Sequence, residues 1–151
     1  MTQYKTQYKK PGWFVKNVGN GLIMFLTSLG LSVRGSRVLY VRGRKSGQWR
    51  RNPVNLLTWQ DGRYLVAPRG ETEWVRNLRA AGGGELGLGS KRTPFAAREL
   101  TDAEKPDLLR AYLKLWSMET GYFFDRVKHD APDADIARIA PQHPVFGISG
   151  A

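Results

Sequence analysis

Residues 43 to 51 read Gly-Arg-Lys-Ser-Gly-Gln-Trp-Arg-Arg, which puts four cations and a hydroxyl within eight positions. A tight turn of this composition can cradle an anion. Backbone donors, the Ser46 hydroxyl, the point charge of Lys45 and the forked guanidiniums of Arg44 and Arg50 suit a phosphate with carboxylates beside it. The same residues also fit a solvated hairpin tip, where Gly47 provides backbone freedom and cations keep an edge from aggregating. The wider sequence favours the anion. The first 60 residues hold eleven Lys and Arg and no acidic residue, whereas the remainder holds thirteen of each sign, so the entire net charge of +11 lies in the N-terminal part. A field this one-sided implies a phosphate, carboxylate or lipid-headgroup partner and says nothing of fold.

Other chemistries find little support. There is no Cys, which removes disulfides, thiolate zinc sites and cysteine nucleophiles, and His129 and His143 are the only histidines, too few for a multi-histidine metal centre. Arg44-Lys45-Ser46 lacks the glycine before the lysine that a Walker loop needs, and no helix pattern follows it. Gly82-Gly83-Gly84-Glu85-Leu86-Gly87 matches G-x-G-x-x-G literally. It follows a helix pattern, and Gly89 and Pro94 prevent a helix after it, so it reads as a helix-to-strand turn. Asp125 and His129, four apart, could share a helix face as an acid–base pair, a spacing that chance often produces. Trp49, Trp59 and Trp74 could give flat apolar surface beside the basic turn or serve as ordinary core aromatics.

The elements that would position these residues follow from periodicity. At 151 residues and 41% apolar content the chain fits one domain with a core of ordinary size. Residues 37 to 42 and 49 to 59 read as strands joined by the basic turn, with Pro53 marking an unpaired edge position or a kink. Asp61-Gly62 signals a hairpin into a third strand over 63 to 67. Thr72 can cap a short helix through Ala81 that places Trp74 and Leu78 on one face. Two more strands over 85 to 90 and 95 to 100 turn around Lys91-Arg92-Thr93-Pro94. Leu108, Leu109, Tyr112, Leu113 and Trp116 repeat at helical spacing after a Thr101–Glu104 capping box or a first turn at Pro106. Residues 131 to 135 read as a polar loop and 144 to 148 as a last strand. Sequential strands with tight turns argue for an α+β fold around a small antiparallel sheet or barrel, and against a parallel dinucleotide fold. Residues 1 to 33 read as a basic arm and an amphipathic helix attached to a domain spanning 34 to 151. The apolar run from Gly21 to Val33 is shorter than the roughly 20 residues a membrane span requires.

The ordered series Gly43-Arg44-Lys45-Ser46-Gly47-Gln48-x-Arg50-x-Asn52-Pro53, Asp61-Gly62, Ala67-Pro68-Arg69-Gly70 and Trp74-Val75-Arg76-Asn77-Leu78 resembles the deazaflavin-dependent nitroreductase family. The match runs over about residues 34 to 100. The resemblance implies an antiparallel split β-barrel with peripheral helices, and binding of coenzyme F420, an 8-hydroxy-5-deazaflavin with a phosphodiester and an oligoglutamate tail. It also implies site residues. Arg44, Lys45, Ser46, Gly47 and Arg50 would hold the phosphate and the start of the tail, Asn52, Pro53 and Val54 would lie along the ring edge, and Ala67, Pro68 and Arg69 would flank it. Trp74 and Asn77 would close the pocket from the short helix. Pro68 departs from relatives that carry a small polar residue there, because proline offers neither N–H nor hydroxyl.

The expected function is therefore hydride transfer from the reduced coenzyme to an electron-poor small molecule, a quinone, nitro compound or activated enone, with water or Tyr122 completing the reduction with a proton and no metal involved. The rival is a noncatalytic nucleic-acid binder, since basic residues interleaved with Trp and Tyr can neutralise phosphates and stack bases. The enzyme reading expects no specific nucleic acid, and a monomer or homodimer in the cytoplasm. The basic arm and apolar helix would allow contact with the anionic inner face of the membrane or form a lid over the ring.

Overall fold

The computed structural model describes residues 35 to 150. The arm, the amphipathic helix and the boundary at 33/34 expected from the sequence lie outside the described residues. Six strands form one closed antiparallel barrel in the order β1-β2-β3-β6-β5-β4. They are β1 (Ser36–Arg42), β2 (Trp49–Trp59), β3 (Gly62–Val66), β4 (Gly83–Leu88), β5 (Lys91–Glu99) and β6 (Val145–Ser149). Helix α1 (Glu73–Ala81) connects β3 to β4, and α2 (Pro106–Thr120) and α3 (Asp133–Ile139) fill the long connection from β5 to β6. The α+β split-barrel expectation holds.

Local chemistry explains most boundaries. Pro106 is the first residue of α2, where its missing N–H costs nothing. Thr101 and Glu104 form the expected capping box, but around a separate turn over Asp102–Glu104. Gly82, at φ +71°, ends α1 in the left-handed conformation that glycine adopts without strain. The second hairpin differs from expectation. Its turn is Gly89-Ser90, with Leu88 opposite Lys91, and Lys91 to Pro94 already belong to β5. A short helix over Asp133–Ile139 begins inside the polar loop expected over 131 to 135; Ile136 and Ile139 are buried against α2, so tertiary packing overrides weak local propensity. Asp125 and Arg126 both have positive φ and follow a 3₁₀ turn, so Asp125 and His129 share no helix face.

Two cores result. Leu39, Val41, Val54, Leu65 and Phe146 fill the barrel, and α1 closes one end by inserting Trp74, Val75 and Leu78, each worth about 1.5–3 kcal/mol when fully buried. The other core packs α2 and α3 against Leu57, Val66 and Val145.

The barrel is split along β2. Residues 49 to 55 pair with β1, while β3 pairs only with residues 56 to 59. Backbone bonds from Gly43 N–H to Gln48 O and from Leu56 N–H to Gly35 O fix the hydrogen-bonded positions of the β1–β2 ladder. By alternation Val38–Pro53 is a non-hydrogen-bonded pair, so the proline nitrogen faces the open edge, where no ladder donor is required.

Candidate cofactor site

The opening beside β2 continues into a cleft of about 640 Å³. One wall is the β1–β2 turn with Gly43, Arg44, Lys45 and Ser46; the floor is β2 from Trp49 to Asn52; the opposite wall is α1 with Glu73, Trp74 and Asn77. The turn is held by three sets of bonds. Gly43 N–H donates to Gln48 O at 2.8 Å and Gly47 N–H to Gly43 O at 2.9 Å, while Gln48 N–H reaches Ser46 Oγ at 3.2 Å. Gly47 sits at φ +70°. Space at Gly43 is tight: an added Cβ would lie 2.7 Å from Ser46 Oγ, so the hydroxyl would have to move.

Side chains then tie this turn to α1. Asn77 is 5% exposed, and its Oδ1 accepts from Arg44 N–H at 3.0 Å and from Arg44 Nη1 at 2.8 Å. Arg44 Nη1 also donates to Glu73 Oε2 at 2.7 Å, and this bond holds the Glu73 carboxyl below the usual carboxylate range. By contrast Lys45, Arg50 and Arg51 make no ion pair with a carboxylate among the described residues, Lys45 acting on Glu73 only at longer range, whereas Arg79, Arg92, Arg98 and Arg110 are each ion-paired. Trp49 is 38% exposed, with the Arg42 guanidinium 4.2 Å and that of Arg92 5.2 Å from its ring centroid. Unneutralised cations beside two indoles suit a ligand that joins anionic groups to a planar aromatic.

Of the residues expected from the sequence, the structure brings Arg44, Lys45, Ser46, Arg50, Asn52, Trp74 and Asn77 to one cleft. Gly47 shapes the turn without lining it. Pro53 and Val54 continue along β2 past the cleft, with Val54 buried in the barrel. Ala67, Pro68 and Arg69 lie on the segment leaving β3, where Ala67 is buried and bonded through N–H to Pro144 O and through O to His143 Nδ1. Tyr122 is absent from the cleft lining, 69% exposed and packed on Phe123. Gly43, Arg51 and Glu73 are lining residues for which no contact was expected from the sequence, although the charge run contained Arg51 and Glu73 carried a helix-start signal, and Trp49 is one of the indoles expected beside the basic turn.

The sequence model of the F420H(2)-dependent quinone reductase family matches residues 25–127. No curated protein matches the chain. Among solved structures, one described as a domain-swapped dimer aligns with a TM-score of 0.55 at 18% identity, covering 85% of this chain and 95% of its own. An F420-H2 dependent reductase, FDR-A, aligns with a TM-score of 0.52 at 21% identity, over 77% of this chain and 95% of its own. The conserved hypothetical protein Rv2991 from Mycobacterium tuberculosis aligns with a TM-score of 0.51 at 14% identity, over 99% of this chain and 86% of its own. At these identities the structural likeness is one of fold. The family match covers more than half of the chain, and its coenzyme agrees with the anion-and-ring chemistry of the cleft. The chain belongs to the F420H2-dependent quinone reductase family and is an F420-dependent oxidoreductase.

Proposed function

We propose that the cleft between the β1–β2 turn, β2 and α1 holds coenzyme F420, and that the electrons pass to a quinone-type substrate. The carrying observation is the set of unneutralised cations, Lys45, Arg50 and Arg51, beside the open edge of β2. When bound, the reduced deazaflavin supplies a hydride, and the protein contributes binding, orientation and water exclusion. Lys45, Ser46 and Arg50 then hold the phosphodiester and the first tail carboxylate, with Gly47 setting the turn. Of Asn52, Pro53 and Val54 along the ring edge, only Pro53 turns a backbone group, its carbonyl, to the edge that β3 leaves unpaired, since Asn52 and Val54 spend theirs on β1. The segment leaving β3 would approach the ring only through Pro68 and Arg69, since Ala67 is buried, and Trp74 with Asn77 would limit the ring's movement from α1. Pro68 can offer the ring only its carbonyl, so the chain has no hydrogen-bond donor to the ring at that position.

A quinone becomes a hydroquinone by taking one hydride and one proton. The exposure of Tyr122 and its absence from the cleft lining favour water as the proton source. The reading holds for a monomer or a homodimer. Among the described residues no helix is long and apolar enough to cross a membrane. The reaction is tested by mixing the protein anaerobically with reduced coenzyme F420 and matched quinone, nitroarene and enone acceptors. The quinone should be reduced fastest. Turnover with the other two and none with the quinone would overturn the substrate assignment.

A further inference from the structure

We infer that Arg44 is a positioning residue, which together with the buried acceptor Asn77 pins the β1–β2 turn onto α1 and leaves Lys45, Ser46 and Arg50 to face the anion. This rests on the cleft being the coenzyme site. An arginine in a run of cations at an anion cleft would ordinarily be assigned to the ligand, but the backbone N–H of Arg44 and both hydrogens of its Nη1 are already committed to α1, which leaves only Nε and Nη2 as donors. Its backbone N–H and its Nη1 converge on the same Oδ1, at 3.0 and 2.8 Å, which uses both lone pairs of that oxygen. The same Nη1 directs its other hydrogen to Glu73 Oε2 at 2.7 Å.

Burial makes the anchor rigid. Asn77 is 5% exposed on the face of α1 that packs on the barrel, so an unbonded Oδ1 there would be a desolvated acceptor without a partner. The segment is thereby fixed from both ends. Gly43 and Gly47 are bonded within the hairpin, and Arg44 between them is bonded to an element 33 residues away. Lys45 and Ser46, the next two residues, have no such tie; their placement follows from that of Arg44. A cradle held in its binding geometry before the ligand arrives avoids the ordering cost on binding.

The clamp can be tested first without any ligand. In the free protein, amide hydrogen exchange resolved by NMR should show the Arg44 N–H protected, and Asn77→Ala should accelerate exchange across residues 44 to 47 by about tenfold or more. Lys45→Ala should leave that exchange unchanged. With coenzyme F420, followed by tryptophan fluorescence, Arg44→Lys and Asn77→Ala should each weaken binding by about tenfold, and the double variant should bind no worse than either single one. Arg44→Lys would also break a bidentate ligand contact, so the exchange measured without ligand, which a direct contact would not move, separates that contact from the clamp. Wild-type affinity in Arg44→Lys, additive losses in the double variant, or unchanged exchange in Asn77→Ala would each overturn the inference. Should Asn77→Ala fail to fold, Arg44→Lys, which deletes no buried acceptor, carries both readouts. Failure of the cleft assignment itself appears differently, as undiminished coenzyme affinity in Lys45→Ala and Arg50→Ala, and leaves the exchange result to decide the clamp.

Discussion

Gly43 and Gly47 stand four residues apart in the same turn, yet methylating each should produce opposite effects. At Gly43 the backbone is outside the left-handed region, and the added Cβ would meet Ser46 Oγ at 2.7 Å, with Gln48 O at 3.5 Å and Arg50 Nε at 3.6 Å. A hydroxyl is movable, so Gly43→Ala should rotate Ser46 away from Gln48 N–H. The lost hydrogen bond costs about 0.5–1.5 kcal/mol, while the stiffer unfolded chain returns about 0.4–1 kcal/mol, so stability should change by less than about 1 kcal/mol. Coenzyme affinity should nevertheless fall by about 1 kcal/mol, roughly fivefold, because the displaced hydroxyl belongs to the cradle. At Gly47 the added Cβ meets nothing within 4 Å, but φ is +70°. Gly47→Ala should therefore cost about 1–2 kcal/mol of folding free energy from left-handed strain, lowering Tm by about 2–8 °C, without placing an atom in the cleft. Thermal denaturation and coenzyme titration of both variants measure the contrast. Unchanged affinity in Gly43→Ala would remove Ser46 from the site, and a large loss of Tm in that variant would show that the turn cannot relax as argued.

Lys45→Ala and Arg50→Ala should each weaken coenzyme binding by about 1.5–3 kcal/mol with little change in Tm, as calorimetry and thermal melts would show, since neither side chain has an ion-pair partner among the described residues to lose. Glu104 accepts from Arg98 and from Thr101 N–H, which holds its carboxyl down to about 2. Because its folded-state value is depressed, its stabilisation is present above the ordinary value of 4.5 and is lost as pH falls from there towards about 2; the Tm gap between wild type and Glu104→Gln should be constant near neutrality and close across that range. Binding to oligonucleotides, if measurable, should fall about 10³-fold or more between 50 and 200 mM salt, whereas coenzyme binding, part of which rests on ring contacts, should fall much less. Salt-resistant oligonucleotide binding without coenzyme affinity would revive the nucleic-acid reading.

The hairpin order was legible because β-branched runs such as Arg37–Arg42 alternate with strong turn signals, and Pro53 announced the open edge of β2 through its missing donor. Barrel closure was not legible. The pairing of β6 between β3 and β5 joins residues about 50 to 85 positions apart and has no local signal. The cations of the site could be read off as a charge run, but not which of them are spoken for. That Arg44 is bonded to Glu73 and Asn77 while Lys45 and Arg50 remain unpaired depends on how α1 docks on the barrel. Helix α3 escaped notice because Pro132, Asp133 and Asp135 have loop propensities, and only the burial of Ile136 and Ile139 makes the segment helical.

The central claim is that coenzyme F420 occupies the cleft beside the split in β2. Titrating the isotope-labelled protein with the oxidised coenzyme and following backbone amide shifts by NMR tests this residue by residue. Saturable, one-to-one changes concentrated at Gly43 to Asn52 and Glu73 to Asn77 are expected. Saturable changes that spare those two segments and gather instead around Tyr122 and the C-terminal end of α2 would contradict it.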